Sequence, residues 1–275
     1  MKILFCGDIV GRAGREAVIE HVPLLRRRLG LDFVIVNGEN AAHGFGITGK
    51  ICDELFACGV DVITGGNHTW DKSEIIPLMD RDTRLLRPAN FPPATPGRGA
   101  FVYTDGAGRR IKVINLMTRL FMELLDDPFP AIQLELPPGA PKKSGFDAVI
   151  VDVHGEATSE KVALGHVCDG RASLVVGTHT HIPTADAHIL VGGTGYQTDA
   201  GMCGDYDSVI GMEKQGSINN FLRKLPRERL TPADGEATLC GVYMETDSQT
   251  GLARTVSPVR CGGRLAPQMP AMAKS

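Results

Sequence analysis

No run of about 18 uninterrupted apolar residues occurs in this chain of 275 residues, so the sequence predicts no transmembrane helix. An excess of charge of one sign is also missing, because the net charge is only −3. The lack of a basic surplus argues against an extended groove for nucleic acid. What remains is a balanced composition, 43% hydrophobic and 22% charged, which is typical of a globular domain with a substantial core.

Cysteine pairs of the CxxC type are absent, although the chain has seven cysteines. This odd number, and the apolar surroundings of Cys6, Cys58 and Cys240, indicate reduced core thiols in a cytoplasmic protein. Asp8 interrupts the short apolar start, so we expect no signal peptide. The glycine-rich segment 7–15 has neither a Walker lysine nor the GxGxxG order, which excludes both phosphate-binding loops.

A linker or a shift in composition is equally absent, so we expect one domain over residues 1–275 with a loose tail from about residue 262. The first part of this domain repeats one pattern, in which an apolar strand is followed by a loop and a helix. The predicted strands are 2–6, 32–36 and 60–64, and the helices begin near Arg15, Thr48 and Ser73. Such units form parallel strands, whose carboxyl ends gather functional residues.

The rest of the chain is less regular. We expect a hairpin over residues 99–117 and, because prolines and acids are frequent, a long surface loop or lid over 121–141. Buried strands follow at 146–153 and 174–176. The remaining predictions are strands at 185–190 and 196–198, a loop at Gly201–Asp207, a helix at Ser217–Leu225, and an antiparallel pair of strands at 237–245 and 253–259.

Two histidines follow the strand that ends at Gly177, and they are one residue apart. In an extended backbone, alternate side chains share a face, so His179 and His181 would point the same way. Two imidazoles on one face at a strand end could bind a metal ion, or they could be ordinary surface histidines.

Ligand-type side chains recur at the other predicted strand ends. Each has a plausible structural role of its own, such as capping for Asp8. Together they supply mixed oxygen and nitrogen ligands, which suit manganese, iron or zinc, and a carboxylate can bridge two such ions. The sequence therefore predicts a dinuclear metal centre, and its candidate residues are Asp8, Glu39, Asn40, Asn67, His68, His154, His179 and His181.

The order of these motifs resembles that of the calcineurin-like metallophosphoesterases, and more narrowly the bacterial YmdB-type branch. The similarity runs from Met1 to about Pro258. Two positions differ from the broad superfamily pattern, since Val10 stands where a histidine is usual and Glu39 where an aspartate is usual. The motifs that carry the resemblance are Gly7-Asp8-Ile9-Val10-Gly11, Asn37-Gly38-Glu39-Asn40, Gly66-Asn67-His68, His154, Gly177-Thr178-His179-Thr180-His181 and Gly201-Met202-Cys203-Gly204.

The resemblance implies an α/β fold of the metallophosphoesterase type, an αββα sandwich of two mixed sheets flanked by helices. It implies two divalent or mixed-valence transition-metal ions, iron or manganese with zinc as the alternative. Asn40 would replace the missing histidine, and His68 would stay free of metal and protonate the leaving group. One ion would take Asp8, Glu39, Asn40 and His181, and the other Glu39, Asn67, His154 and His179.

The implied reaction is in-line attack of an activated water on a 2′,3′-cyclic nucleotide or another phosphodiester, RNA-derived ends included, by a cytoplasmic homo-oligomer without a membrane partner. Nothing in the residues selects a base. His43, Phe45 and the segment 117–121 are candidates for lining the pocket, or for ordinary packing. Two other functions stay open: a metal-binding regulatory or scaffold protein, and another phosphoesterase, either a monoesterase or a nuclease.

Overall fold

The structure, a computed structural model, describes residues 1–223 and 229–271. The side chains of strand β1 (Lys2–Ile9) lie in two apolar layers. Ile3 and Phe5 point into one layer, while Leu4 and Cys6 point into the other. All four are fully buried, and burial of a side chain such as Phe5 stabilises the fold by about 1.5–3 kcal/mol. This explains why the strand is a continuous apolar run, as expected for a strand covered on both faces.

The other elements follow in chain order. They are α1 (Gly11–Leu29), β2 (Phe33–Asn37), α2 (Gly49–Ala57), β3 (Val62–Thr64), α3 (Ile76–Arg81), β4 (Leu85–Leu86), β5 (Ala100–Thr104), β6 (Arg110–Met117), α4 (Pro128–Glu135), β7 (Ala148–His154), α5 (Thr158–Cys168), β8 (Leu174–Thr178), β9 (His188–Ile189), β10 (Gly195–Gln197), β11 (Met202–Asp205), α6 (Lys214–Arg223), β12 (Ala237–Thr246) and β13 (Ala253–Cys261).

These strands form two mixed sheets within the described residues. The first sheet has the order β13-β12-β11-β1-β2-β3-β4, and the second has the order β5-β6-β7-β8-β10-β9. Strand β1 pairs in parallel with β2 and β11, and β7 pairs in parallel with β6 and β8. Antiparallel pairs lie towards the sheet ends, namely β12 with β13, β5 with β6, and β9 with β10.

The two sheets pack face to face, and helices cover their outer faces. Phe5 and Ile35 of the first sheet meet Ile150 of the second in the central layer. Val18 of α1 lies in the layer outside the first sheet, and Leu164 of α5 lies in the layer outside the second. This arrangement confirms the predicted fold class, an αββα sandwich of two mixed sheets.

Two segments differ from the sequence prediction. The stretch predicted as a loop at Gly201–Asp207 contains β11, which pairs in parallel with β1 through Met202 and Cys203. The predicted lid over 121–141 contains α4, whose first turn holds Pro128. Proline is compatible with that position because the amide hydrogens of a first turn have no partner within the helix.

The tail is held in place over much of its length. The backbone of Arg260 makes two hydrogen bonds to Gln268, at 2.8 and 3.0 Å, and Met269 packs against the core outside the first sheet. The loose tail from about residue 262 stays a prediction, and these contacts reach as far as Met269. The end of the predicted helix 217–225 and the last residues of the predicted domain 1–275 lie outside the described residues, so the single-domain assignment stays a prediction.

Within the described ranges, none of the helices is both long and apolar enough to cross a lipid bilayer.

Candidate metal centre

All eight candidate residues lie at the carboxyl ends of five central strands that belong to both sheets. Asp8 is close to the end of β1, and His154 is the last residue of β7. The other six follow strand ends directly: Glu39 and Asn40 after β2, Asn67 and His68 after β3, and His179 and His181 after β8. A parallel arrangement brings such ends together, as the sequence analysis expected.

One group of side chains converges on His154. Its Nε2 atom is 2.9 Å from Asn67 Oδ1, 3.1 Å from His179 Nδ1 and 3.1 Å from Glu39 Oε1. Glu39, His154 and His179 each offer a ligand atom, and these three atoms lie within 4.8 Å of one another. Such a cluster of carboxylate and imidazole atoms could hold a metal ion.

A second group lies on the other side of Glu39. Asn40 Nδ2 is 3.2 Å from both Glu39 Oε1 and His181 Nε2. Asp8 Oδ1 is 3.9 Å from His181 Nε2 and 3.8 Å from His154 Nδ1. As a metal ligand, Asn40 would have to turn its amide so that Oδ1 faces the ion, because the NH2 group has no lone pair to offer.

The protonation of His154 follows from the hydrogen bonds behind it. Thr178 Oγ1 donates its hydrogen to Asp152 Oδ1 at 2.7 Å. The same Thr178 oxygen therefore accepts from His154 Nδ1, at 2.9 Å. Asp152 also accepts from Thr64 Oγ1 at 2.5 Å, and all four residues are buried. A neutral His154 therefore carries its hydrogen on Nδ1 and turns the lone pair of Nε2 towards the cluster.

Burial and neighbouring charges shift the pKa values of this cluster in different directions. Burial raises the pKa of Asp8. Burial would also raise the pKa of Glu39, but the charge of His154 and its hydrogen bond outweigh this and lower the pKa to about 2. Burial lowers the pKa of His154, and the nearby Glu39 carboxylate reverses the effect and raises it to about 9. Burial and the neighbouring His154 lower the pKa of His179 to about 3.

The donor set fits a cation. Asp8 Oδ1 is fully buried and, among the described residues, has no hydrogen-bond partner. A neutral His154 offers a lone pair at Nε2 that faces three further acceptor atoms, on Glu39, Asn67 and His179. Acceptors that converge in this way repel one another unless a proton or a metal ion lies between them. Oxygen and imidazole nitrogen ligands suit manganese, iron or zinc.

The segment after β8 reaches the cluster by a different backbone path from the one predicted. His179 and His181 have φ angles of 96° and 66°, in the left-handed region. The prediction of an extended backbone at these two residues is therefore wrong, although both imidazoles do lie in the cluster. Non-glycine residues in that region are uncommon and concentrate at functional sites.

A buried ion pair holds this segment. Lys161 Nζ donates to Thr178 O at 2.7 Å and to Asp199 Oδ2 at 2.8 Å. The same Asp199 oxygen accepts from the backbone amide of Thr180 at 3.1 Å and from its hydroxyl at 2.7 Å. The amide of His179 donates to Asp8 Oδ2 at 3.1 Å. These bonds compensate the strain of the two left-handed residues.

His68 lies beside the cluster and contacts it through its backbone. Its backbone amide donates to Glu39 Oε2 at 2.9 Å, whereas its Nδ1 atom is 2.8 Å from Asp71 Oδ2. The side chain is 30% exposed, and the ring of Phe45 lies edge-on to it with 5.0 Å between the centroids. His68 also lines the adjacent cavity.

That cavity has a volume of about 500 Å³ and is lined by the metal-centre residues Glu39, Asn40, His179 and His181, by His68, and by apolar side chains. Phe45 is one of these, as the sequence suggested. His43 and the segment 117–121 are not among the described residues that line it.

Four residues with clear roles at the site did not emerge from the sequence. Asp71 follows His68 by three residues in the same loop, so its proximity was a usable signal. Lys161, Asp199 and Asp152 contact the site from a helix, a loop and a strand interior. Nothing in the local sequence distinguishes Lys161 and Asp199 from surface or capping residues, whereas Asp152 interrupts an apolar strand and was a usable signal.

Comparison with known proteins places the geometry in context. The model of a family described as YmdB-like protein matches residues 4–259. A protein of Bacillus subtilis named 2′,3′-cyclic-nucleotide 2′-phosphodiesterase is 51% identical over 250 residues, which cover 91% of this chain and 93% of that protein.

Solved structures agree with this relationship. A crystal structure of a hypothetical protein from Thermus thermophilus superposes with a TM-score of 0.88 at 41% identity, over 96% of this chain and 100% of that one. A structure described as a novel phosphatase from Mycoplasma pneumoniae superposes with a TM-score of 0.87 at 34% identity, over 95% and 93% of the two chains.

Proposed function

The chain belongs to the YmdB-like protein family, and from this premise we propose that it is a dinuclear, metal-dependent phosphodiesterase that hydrolyses 2′,3′-cyclic nucleotides. One observation carries the proposal: acceptor atoms of Glu39, Asn67, His154 and His179 converge in a buried cluster that opens into a cavity. The name of the Bacillus subtilis relative supports the substrate class.

Two sets of ligands share Glu39 in this proposal. Its Oε1 atom lies 3.2 Å from Asn40 and 3.1 Å from His154, which supports a position between two ions. Bound there, the two ions would activate a water for attack on phosphorus and neutralise the developing charge. One set is Asp8, Glu39, Asn40 and His181, and the other is Glu39, Asn67, His154 and His179.

Electrostatics support the binding of a phosphodiester. Asp8 and Glu39 bring two negative charges, fewer than the positive charge of two divalent ions, so the loaded centre attracts an anion. The ions that we propose are iron or manganese, with zinc as the alternative, since oxygen and imidazole nitrogen ligands suit all three. A cytoplasmic homo-oligomer is part of the same proposal.

His68 acts as the general acid. His68 lines the cavity, and the ribose oxygen that leaves phosphorus needs a proton donor within reach. Asp71, at 2.8 Å from Nδ1, orients the ring. His68 is therefore distinct in role from its neighbour Asn67, whose oxygen faces His154 instead.

The leaving group provides the experiment. A ribose alkoxide needs a proton to leave, whereas p-nitrophenolate leaves readily without one. We expect His68→Ala to retain its metal content and to lose roughly 10²–10⁴-fold in turnover of a 2′,3′-cyclic nucleotide, the usual worth of general acid catalysis. The loss on bis-p-nitrophenyl phosphate should be much smaller.

Metal analysis and both turnover rates decide the outcome. Equal losses on the two substrates would assign His68 to phosphate binding, and loss of an ion would make it a ligand. A manganese-, iron- or zinc-loaded wild type that leaves the cyclic nucleotide intact, or hydrolyses a phosphomonoester or linear nucleic acid faster, would overturn the proposed function. His43→Ala, a histidine of a neighbouring loop outside the described cavity lining, serves as the matched control.

A further inference from the structure

The apolar part of the cavity lining continues directly from the metal centre. At one side the carbonyl of Ile210 accepts from His181 Nδ1 at 2.7 Å. At another, Phe45 touches the ring of His68. A molecule that reaches the metal centre therefore also meets apolar side chains, which are Phe45, Val209, Ile210, Met212, Phe221 and Leu230. The polar residues Glu156, Thr180, Ser217 and Asn220 complete the described lining.

The charges of the cavity restrict the kind of molecule that fits. Of the described residues that line it, none is a lysine or an arginine, and its charged side chains are the carboxylates of Glu39 and Glu156. Among these described lining residues, a second phosphate would meet no lysine or arginine. An RNA end brings one phosphate with every nucleotide, whereas a free cyclic mononucleotide brings only one in total.

Phe221 is an aromatic residue of this lining that is largely exposed to solvent. It lies on α6, whose described residues include one buried position, Ser217. Phe221 is 79% exposed, so packing in a core does not account for an aromatic residue there. Phe221 therefore both lines the cavity and is open to solvent, so an aromatic ring is available at this wall to a ligand that enters.

We propose that this apolar lining binds the base of a free 2′,3′-cyclic mononucleotide, and that Phe221 stacks on that base. The inference rests on the proposed function, which puts the cyclic phosphate at the metal centre. A volume of about 500 Å³ is within the range of small-molecule sites. Every base has an aromatic face, so a stacking site of this kind accepts several bases and favours substrates that have one.

A base-free substrate tests this directly. The compounds are adenosine 2′,3′-cyclic phosphate and the 2,3-cyclic phosphate of methyl riboside, hydrolysed by manganese-loaded protein. We expect the wild type to prefer the nucleotide through KM. Phe221→Ala should raise KM for the nucleotide roughly 5- to 150-fold, the usual range for stacking of one base, and should reduce the preference accordingly.

The chain supplies a matched control in Leu222, the next residue on α6. It is 75% exposed but is not among the described residues that line the cavity. Leu222→Ala should keep the preference for the nucleotide. Calorimetric titration of adenosine 3′-monophosphate into each loaded variant gives a second readout, with weaker binding expected in Phe221→Ala alone.

The possible results distinguish the proposed base site from the proposed phosphodiesterase activity. Equal kcat/KM of the wild type for the two compounds would overturn the base site while the phosphodiesterase remains. Equal effects of the two variants would overturn the role of Phe221. Hydrolysis of a cyclic phosphate at the end of an RNA oligomer as fast as that of the mononucleotide would overturn the preference for a free nucleotide. No hydrolysis of either cyclic compound would overturn both proposals together.

Discussion

Glu39 is the residue on which a two-ion centre depends most. It is almost fully buried, and its Oε1 atom is 3.2 Å from Asn40 Nδ2 and 3.1 Å from His154 Nε2. We expect Glu39→Gln to lose at least one ion, because a neutral amide removes the negative charge that the two proposed ions share. Its activity should fall by more than the 10–100-fold that is typical when a residue behind a metal ligand is changed. Metal analysis and turnover rates measure both effects.

Glu156→Gln is the matched control for that change. The Glu156 carboxylate lies in the same cavity, but it is 51% exposed and approaches only the outer nitrogen of His179, at 3.4 Å. This variant should keep both ions. A Glu39→Gln protein with a full metal complement and wild-type turnover would contradict the bridging position of Glu39.

Single residues were the most predictable part of the site. The eight candidates came from residue type and position at strand ends, and the structure brings all eight together. Their orientations could not be predicted, because they depend on distant partners. The proton on His154 Nδ1, for example, is set by Thr178 and Asp152, and the backbone of His179 by its bond to Asp8.

At the scale of elements, the segment that links β8 to β9 depends on the buried pair of Lys161 and Asp199. We expect Lys161→Met to lower the free energy of unfolding by about 3–5 kcal/mol, since it leaves a buried carboxylate without its counter-charge. The affinity for manganese should fall as well, because Thr178 O loses the donor that fixes the start of the segment. Urea unfolding and competition with a chelator measure the two effects.

An exposed pair of the same chemistry is the control. Lys214 and Asp207 are 2.8 Å apart, and their side chains are 51% and 45% exposed. Lys214→Met should leave the free energy of unfolding nearly unchanged, because water screens an exposed pair, and should leave the affinity for manganese as it is. If Lys161→Met binds manganese as tightly as the wild type, the segment holds its shape without the ion pair.

The elements that the sequence predicted well are those with a local signal. The apolar runs of β1, β2 and β8 could be recognised from the sequence, and so could the apolar spacing of α1. Strand β11 was missed because Met202-Cys203-Gly204-Asp205 has no β-branched residue, and only pairing with β1 makes it a strand. The structure needs glycine beside it, since a Cβ on Gly7 would lie 1.8 Å from Gly201 O.

At the scale of the whole molecule, protons and metal ions compete for the same centre. In protein without metal, the raised pKa of His154, about 9 against the ordinary 6.5, stabilises the fold at pH values below 6.5, and this contribution is lost as the pH rises through 9. The lowered pKa of Glu39 stabilises it above pH 4.5, and that contribution is lost only as the pH falls towards 2. The metal-free protein thus has both contributions between pH 4.5 and 6.5.

Metal binding reverses the trend, because it needs the neutral form of His154. We expect the increase in melting temperature caused by a fixed concentration of manganese to be larger at pH 7.5 than at pH 5.5. Thermal unfolding with and without manganese at the two pH values measures it. An increase that is equal at both values, or larger at pH 5.5, would show that His154 does not have to lose a proton.

The position of β1 in the first sheet affects how the chain is made. One side of β1 pairs with β2, which the ribosome produces soon afterwards, but the other side pairs with β11 and β12, which end at residues 205 and 246. During synthesis, this other side of β1 therefore stays unpaired until most of the chain has been made. Until then, an apolar strand with unpaired backbone groups is exposed to other nascent chains, and a ribosome that stalls before β12 releases a product prone to aggregate.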